Sequence, residues 1–149
     1  MFYSYPQETM QEVPGEISLA LSISGCPLRC KGCHSTETYD ECYGIKLTND
    51  ELERLLRKHK HASCVLFYGG EWKAERLKEL FKIIRKYGLK IALYSGYSLH
   101  TFEDDFLHDL DFIKTGVYQP HLGGLGSSTT NQKFHTISNG IFIDLTHTF

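Results

Sequence analysis

Three cysteines stand close together in this chain of 149 residues, and their spacing constrains the fold more than any other feature. Cys26, Cys30 and Cys33 form a C-x3-C-x2-C run directly after an apolar stretch. Three thiolates on one short loop can bind three irons of a four-iron cubane, which leaves one iron without a protein ligand. Because an open iron can bind a small molecule, the run predicts a 4Fe-4S reaction centre.

The residues between the cysteines suit a loop that wraps around a cluster. Gly25 and Gly32 permit a positive φ and a close approach of the backbone to inorganic sulfide. Arg29 and Lys31 bring positive charge that favours thiolate over thiol. We therefore expect Cys26, Cys30 and Cys33 to be the metal ligands.

The alternative for these cysteines is a structural zinc site with His34 or Cys42 as its fourth ligand. Zinc sites usually contain paired C-x2-C units, and the chain has no second pair. Cys64 lies in an apolar run and reads as a small buried hydrophobic residue. Neither Cys42 nor Cys64 is expected to bind a cluster.

Length, charge and cysteine content limit the kinds of protein that this chain can be. A chain of 149 residues predicts a single domain, residues 1–149, with a core large enough to fold unaided. The formal net charge of -2 gives no basic footprint for nucleic acid. No apolar run is long enough to span a membrane. Five cysteines, three of them clustered, indicate a reducing compartment, so we expect a cytoplasmic protein.

Hydrophobic periodicity predicts alternating strands and helices. Strands are expected over residues 17–23, 65–68 and 91–94, and another from residue 112. Helices are expected after the capping box at Thr48, over residues 73–87, and over residues 102–110 with Thr101 as a possible cap. Asn139-Gly140 predicts a tight hairpin between strands at residues 134–137 and 141–145. The start of the chain is assigned no element.

This alternation predicts an α/β fold with a mainly parallel sheet and right-handed helical crossovers. The cysteine loop, Gly69-Gly70-Glu71 and Ser95 each follow a predicted strand, so they should meet at the carboxyl ends of the strands. The chain is too short for a complete eight-stranded barrel. We therefore expect an open partial (β/α) barrel whose open side admits a large protein substrate.

The remaining motifs each have an ordinary interpretation. Gly69-Gly70-Glu71 is by itself a turn followed by an acid at a helix start. Ser95 could simply end a strand, and Lys114 could be a solvated lysine at the sheet edge or a partner for a carboxylate. Residues 123–133 form a polar, glycine-rich loop that we expect to be mobile, and it could close over the site or grip a partner.

The chain resembles the radical S-adenosylmethionine family, whose signature is C-x3-C-x2-C. More narrowly, it is similar to the activating proteins of anaerobic ribonucleoside-triphosphate reductase. The resemblance covers Gly15 to about Lys133. It is carried by Ser24-Gly25-Cys26, Gly32-Cys33, Gly69-Gly70-Glu71, Tyr94 to Tyr97, Asp111 to Tyr118, and Gly126-Ser127 followed by Asn131-Gln132.

The resemblance implies one 4Fe-4S cluster and S-adenosylmethionine as cofactors. Gly69, Gly70 and Glu71 would bind the methionyl ammonium group, and Ser95 the ribose or carboxylate. A low-potential donor such as flavodoxin would reduce the cluster, and cleavage of S-adenosylmethionine would give a 5′-deoxyadenosyl radical. That radical would generate a glycyl radical on the large subunit of the reductase.

Two alternatives to this function remain open. The chain could be another radical enzyme, either the activator of a different glycyl-radical enzyme or an enzyme acting on a small molecule. It could also be a non-catalytic iron–sulfur or zinc-binding interaction module. A test for reductive cleavage of S-adenosylmethionine separates the enzyme from the module.

Overall fold

One mixed sheet of eight strands organises the chain, and the computed structural model describes all residues, 1–149. The strands are β1 (Phe2–Thr9), β2 (Ser18–Ile23), β3 (Ile45–Lys46), β4 (Cys64–Tyr68), β5 (Lys90–Tyr94), β6 (Phe112–Thr115), β7 (Lys133–Ser138) and β8 (Ile141–Asp144). The α-helices are α1 (Asn49–Lys58), α2 (Ala74–Lys86) and α3 (Asp104–His108). Across the sheet the strand order is β3-β1-β2-β4-β5-β6-β7-β8.

The centre of the sheet is parallel and both flanks are antiparallel. Strands β2, β4, β5 and β6 pair in parallel. Strands β1 and β3 extend one edge, and β7 and β8 extend the other, all by antiparallel pairing. The predicted α/β fold is confirmed, but the prediction of a mainly parallel sheet is wrong, since antiparallel strands need no crossover helix and can be added at either edge.

All three helices pack on one face of the sheet. The capping box correctly predicts the start of α1, where the Thr48 side chain accepts a hydrogen bond of 3.1 Å from the Glu51 backbone N–H. Leu52 of α1 and Phe81 of α2 join the larger apolar core on this face, together with Phe67 from the sheet. The opposite face carries a smaller core built around Leu66 and Phe134. This helix-free face is the side on which a ligand can approach the sheet.

Two local predictions have opposite outcomes. The hairpin between β7 and β8 turns at Asn139 and Gly140, which have φ values of 51° and 75°, as expected for this dipeptide. By contrast, Thr101 does not cap α3. It ends a 3-10 turn, and the N-cap position of α3 is Glu103, whose side chain makes no capping hydrogen bond.

The sequence pattern missed strands β1 and β3. Strand β1 contains Pro6, a residue that ordinarily argues against a strand. Here the register against β2 shifts between Ser4 and Gln7, and Tyr5 has a φ of 51°, so the proline lies within a bulge. None of the helices in the fold has the length and hydrophobicity needed to cross a membrane.

Candidate cysteine-cluster site

The cysteine loop leaves the carboxyl end of β2 and is held from beneath by a short 3-10 turn, Thr36–Tyr39. The backbone N–H groups of Gly25 and Cys26 donate to the Thr38 carbonyl at 2.7 and 3.1 Å. The Tyr39 hydroxyl donates to the Cys30 carbonyl at 3.1 Å, and the Cys33 N–H donates to the same carbonyl at 3.1 Å. These hydrogen bonds define the backbone shape of the loop.

Close packing on both sides fixes where the cysteine loop lies. At Gly32, where φ is 75°, a Cβ would lie 2.8 Å from Pro120. At Gly96, after β5, a Cβ would lie 2.4 Å from Leu28 of the cysteine loop. The cysteine loop therefore packs against the segment after β6 at Gly32 and against the residue after β5 at Leu28.

The three thiols of the loop are available as metal ligands. All three are free and partly exposed. Burial raises the pKa of Cys26, although backbone N–H groups of Leu28 and Arg29 oppose the shift. No three His, Cys, Asp or Glu side chains are grouped so that they could hold one metal ion. Thiolates of a cubane bind separate irons, so the three sulfurs need not converge on one atom.

The other two cysteines lie outside the C-x3-C-x2-C run: Cys42 near its start, where Glu41 packs against Gly25, and Cys64 far from it. Cys42 is exposed. Cys64 begins β4 and pairs with Ser18, at the opposite end of β2 from the cysteine loop. Burial raises the pKa of Cys64 to about 12, which keeps it a neutral thiol.

A cavity of about 420 Å³ opens beside the cysteine loop on the helix-free face of the sheet. Its lining includes Cys30, Cys33, Tyr68, Tyr94, Lys114 and Gln132. Tyr68, Tyr94 and Lys114 are neighbours in register across the parallel strands β4, β5 and β6. Cys30 and Cys33 therefore meet the ends of three parallel strands at this cavity, whereas Glu71 lines a separate cavity of about 380 Å³ together with Trp72.

The Gly69-Gly70-Glu71 turn follows β4 in a backbone conformation that only glycine adopts readily. Gly69 and Gly70 have φ values of 79° and 107°. A Cβ at Gly69 would lie 2.6 Å from the Trp72 ring, and one at Gly70 would lie 3.3 Å from Ile23. The Gly70 carbonyl accepts a hydrogen bond from the Lys73 N–H at 2.9 Å.

Glu71 is shielded from water and held by Ser95. The Ser95 hydroxyl donates to Glu71 Oε1 at 2.5 Å and accepts from the Tyr97 N–H at 2.9 Å. Glu71 Oε2 is buried and has no hydrogen-bond partner. Burial raises the pKa of Glu71, while the Ser95 hydroxyl and the charge of Lys114 oppose the shift. A buried carboxylate oxygen without a partner can accept a hydrogen bond from a cationic ligand.

Lys114 belongs to the cavity, so the interpretation of it as a solvated edge lysine is wrong. Its Nζ lies 5.9 Å from the centre of the Tyr94 ring and 3.4 Å from the Gly116 carbonyl. Burial lowers the pKa of Lys114 to about 8, although the charges of Cys30, Glu71 and Glu12 favour the protonated form. Strands β7 and β8 lie outside β6, which makes this strand internal to the sheet.

Sequence reasoning gave no site role to several lining residues, among them Tyr68, Tyr94 and Gln132. The two tyrosines end β4 and β5, and their hydrophobic character placed them in the predicted strands without any further role. The sequence does contain a signal for the two tyrosines. Each is the last residue of a parallel strand, and ligands bind at the carboxyl ends of such strands. Gln132 had no such signal, since its position depends on how the chain returns from β6 to β7.

Comparison with known proteins identifies the family. Residues 14–135 match the family described as the 4Fe-4S single cluster domain, and the chain belongs to this family. It is also 31% identical over 110 residues to the pyruvate formate-lyase-activating enzyme of Clostridium pasteurianum, covering 68% of this chain and 46% of that enzyme. The chain thus spans about half the length of this relative. No solved structure matches it.

The comparisons bear directly on the predicted cofactors. A 4Fe-4S cluster with S-adenosylmethionine fits both the family and the relative, and the matched residues include the whole cysteine loop. The three free thiols and the buried acceptor on Glu71 are donors and acceptors of the kind that these two groups require.

Proposed function

We propose that this protein is a radical S-adenosylmethionine enzyme that generates a glycyl radical on anaerobic ribonucleoside-triphosphate reductase. One observation carries the proposal: cysteines of a 4Fe-4S family loop line the same cavity as the ends of three parallel strands. The similarity to a pyruvate formate-lyase-activating enzyme supports an activating enzyme for a glycyl-radical protein. The sequence motifs Gly126-Ser127 and Asn131-Gln132 favour the reductase as the partner.

Cys26, Cys30 and Cys33 would hold the cluster. When bound, the cluster and S-adenosylmethionine supply a one-electron cleavage to methionine and a 5′-deoxyadenosyl radical, which takes a hydrogen atom from a backbone glycine. The electron comes from a low-potential donor such as flavodoxin. The chain itself orients the cofactor and shields the reaction from water.

The Gly69-Gly70-Glu71 turn would bind the methionyl ammonium group. Glu71 Oε2 is the free acceptor, and the Ser95 hydroxyl holds the carboxylate through Oε1. We therefore assign Ser95 a positioning role behind Glu71. Lys114 is the cationic side chain on the cavity wall, and it would pair with the cofactor carboxylate.

The shape of the sheet belongs to the same proposal. With all helices on one face, the other face would form the concave inside of an open partial barrel. A protein loop that carries the target glycine could then enter from the helix-free side. We place the reaction in the cytoplasm, where the five free cysteines would remain reduced.

The first experiment tests for the cofactor chemistry. Anaerobically reconstituted protein is reduced with dithionite, given S-adenosylmethionine, and assayed for 5′-deoxyadenosine. We expect cleavage by the wild type and by Cys42→Ala, and none by Cys33→Ala, because only Cys33 belongs to the loop that lines the cavity. Full activity and a full iron content in Cys33→Ala would disprove the ligand assignment.

A second candidate function is supported by the name of the relative. Activation of pyruvate formate-lyase, in place of the reductase, is what the similar Clostridium pasteurianum protein is named for. Each candidate partner can be mixed with the reduced protein and S-adenosylmethionine, and the glycyl radical measured by electron paramagnetic resonance. The partner that acquires the radical is the substrate.

A further inference from the structure

The segment that joins β6 to β7 is tied together by its own polar side chains. We call residues 116–132 the return loop. Asn131 Nδ2 donates to the Val117 carbonyl at 2.9 Å, and Gln132 Nε2 donates to the Gly116 carbonyl at 3.1 Å. Further out, the Thr129 hydroxyl donates to the Leu122 carbonyl at 3.0 Å. The sequence predicted that this loop is mobile. These hydrogen bonds give it a specific closed shape.

The return loop packs directly on the cysteine loop. Pro120 lies against Gly32, so closely that a Cβ there would be 2.8 Å from the proline ring. The Tyr118 ring meets the His34 ring edge-on, with 6.0 Å between ring centres. Tyr118 and His34 both line the cavity beside Cys33. The return loop is therefore a wall of the cysteine site.

The two amide side chains act at the base of this wall. Gln132 is only 3% exposed, and its amide reaches the same Gly116 carbonyl that lies 3.4 Å from Lys114 Nζ. At Gly116, where φ is 102°, a Cβ would lie 3.1 Å from the Asn131 carbonyl oxygen. The two ends of the return loop thus touch, and Asn131 and Gln132 hold them together.

We propose that Asn131 and Gln132 are positioning residues that hold Tyr118 and Pro120 against the cysteine loop and so keep water away from the cluster. This inference rests on the proposed function, since it presumes a cluster at Cys26, Cys30 and Cys33. It assigns the Asn-Gln pair an internal role in place of contact with a partner protein. Loss of either amide donor should loosen the wall without unfolding the protein.

The test uses variants that keep side-chain shape and remove the donor. Asn131→Asp and Gln132→Glu each present a carboxylate oxygen to a carbonyl that was previously bonded to an amide. In the reconstituted protein, a water-soluble iron chelator should remove iron about fivefold to tenfold faster, because one net hydrogen bond changes a local opening equilibrium by about that factor. Thr129→Val, which removes a donor at the outer part of the same loop, should leave the rate unchanged.

A second measurement separates a positioning role from a general loss of stability. Amide hydrogen exchange should rise together at residues 30–35 and 117–120 in Asn131→Asp, while β4 and β5 stay protected. A wild-type rate of iron loss in both variants would overturn the inference, and so would equal acceleration by Thr129→Val. If Gln132→Glu does not fold, Asn131→Asp alone decides. Failure of the wild type to take up a cluster would instead refute the proposed function.

Discussion

At the scale of single residues, burial changes the pKa values of the acid and the base in this site. Glu71 and Lys114 carry opposite charges, and each has its pKa moved towards the neutral form by burial. Their mutual attraction opposes both shifts. A site with a partly desolvated acid and base gains more from binding a zwitterionic amino acid group than an exposed pair would.

The glycine turn gives the first residue-scale prediction. Gly70→Val should weaken binding of S-adenosylmethionine about tenfold or more. A branched residue at a φ of 107° is strained by roughly 1–3 kcal/mol. We expect the backbone to relieve this strain by moving, which displaces Glu71. The cluster should remain. Calorimetric titration of the reconstituted protein measures the affinity.

Gly88→Val is the matched control for Gly70→Val. Gly88 also has a positive φ, 71°, but it lies just after α2 with no atoms within 4 Å of an added Cβ. It should lower stability and leave the affinity for S-adenosylmethionine unchanged. Equal affinity in Gly70→Val and wild type would mean that the turn is only structural.

Ser95 gives a prediction that depends on pH. Because burial raises the folded-state pKa of Glu71 above 4.5, the neutral acid stabilises the fold, and this contribution is lost as the pH rises through the folded pKa. The Ser95 hydroxyl favours the charged form, so Ser95→Ala raises the pKa of Glu71 further. We expect Ser95→Ala to cost more stability at about pH 8 than at about pH 4, with an added loss of about 1–3 kcal/mol.

Urea unfolding at the two pH values measures the effect of Ser95→Ala. The control is the same substitution in a Glu71→Gln background, where no titrating carboxyl remains and the extra cost at high pH should vanish. A cost that is the same at both pH values in the Glu71 protein would contradict the assignment of the hydrogen bond to the charged form.

Residue identity predicted the site only in part. Cys26, Cys30, Cys33 and the Gly69-Gly70-Glu71 turn follow from short motifs whose spacing is local, and the cavity is lined by Cys30 and Cys33 but not by the glycine turn. Lys114 could not be placed in this way. Its place inside the sheet depends on β7 pairing with β6, a contact that no local pattern specifies.

At the scale of elements, the sequence predicts best those helices and strands whose ends carry local signals. Helix α1 has a capping threonine and strongly periodic leucines, and the β7–β8 turn has Asn139-Gly140. Helix α3 has neither, and its start was assigned to the wrong residue. Strand β1 was missed because its proline is tolerated only through a bulge, which requires the partner strand β2 to be known.

Thr48, which caps α1, and Thr101, which ends a 3-10 turn, give a matched prediction. Thr48→Ala should destabilise the fold by about 1 kcal/mol, since it removes the acceptor for the Glu51 N–H. Glu51 does not complete the capping box, because its carboxylate accepts from Tyr3 and Arg54 instead. Thr101→Ala, at the position where sequence predicted a cap, should change stability by less than about 0.5 kcal/mol.

Denaturant unfolding of Thr48→Ala and Thr101→Ala under identical conditions checks this pair. Both threonines are exposed, so the loss of buried methyl contacts contributes little to the difference. An equal cost for the two substitutions would show that the local hydrogen bond at Thr48 does not stabilise α1.

At the scale of the whole molecule, the mixed sheet separates two tasks. The helices cover one face and form the larger core together with the sheet, while the carboxyl ends of the parallel strands carry the cysteine loop, Glu71 and Lys114. The antiparallel flanks widen the sheet without adding helices to the other face. The second face carries a smaller core and no α-helix, and the cavity lies at the strand ends on that face.

This architecture leads to the last prediction, which is that the substrate is a large protein. The cavity of about 420 Å³ lies on the open face, and its walls are strand ends and the return loop. We expect reduced protein with S-adenosylmethionine and anaerobic ribonucleoside-triphosphate reductase to give a glycyl-radical signal in electron paramagnetic resonance. A reductase variant with the target glycine changed to alanine should give none, while 5′-deoxyadenosine still forms slowly.

A second control identifies the radical as glycyl. Because a glycyl α-hydrogen couples to the unpaired electron, the splitting of the signal should collapse when the reductase is deuterated at glycine. Normal cofactor cleavage without a radical on the reductase would exclude this partner, and the same assay with pyruvate formate-lyase would then identify the alternative.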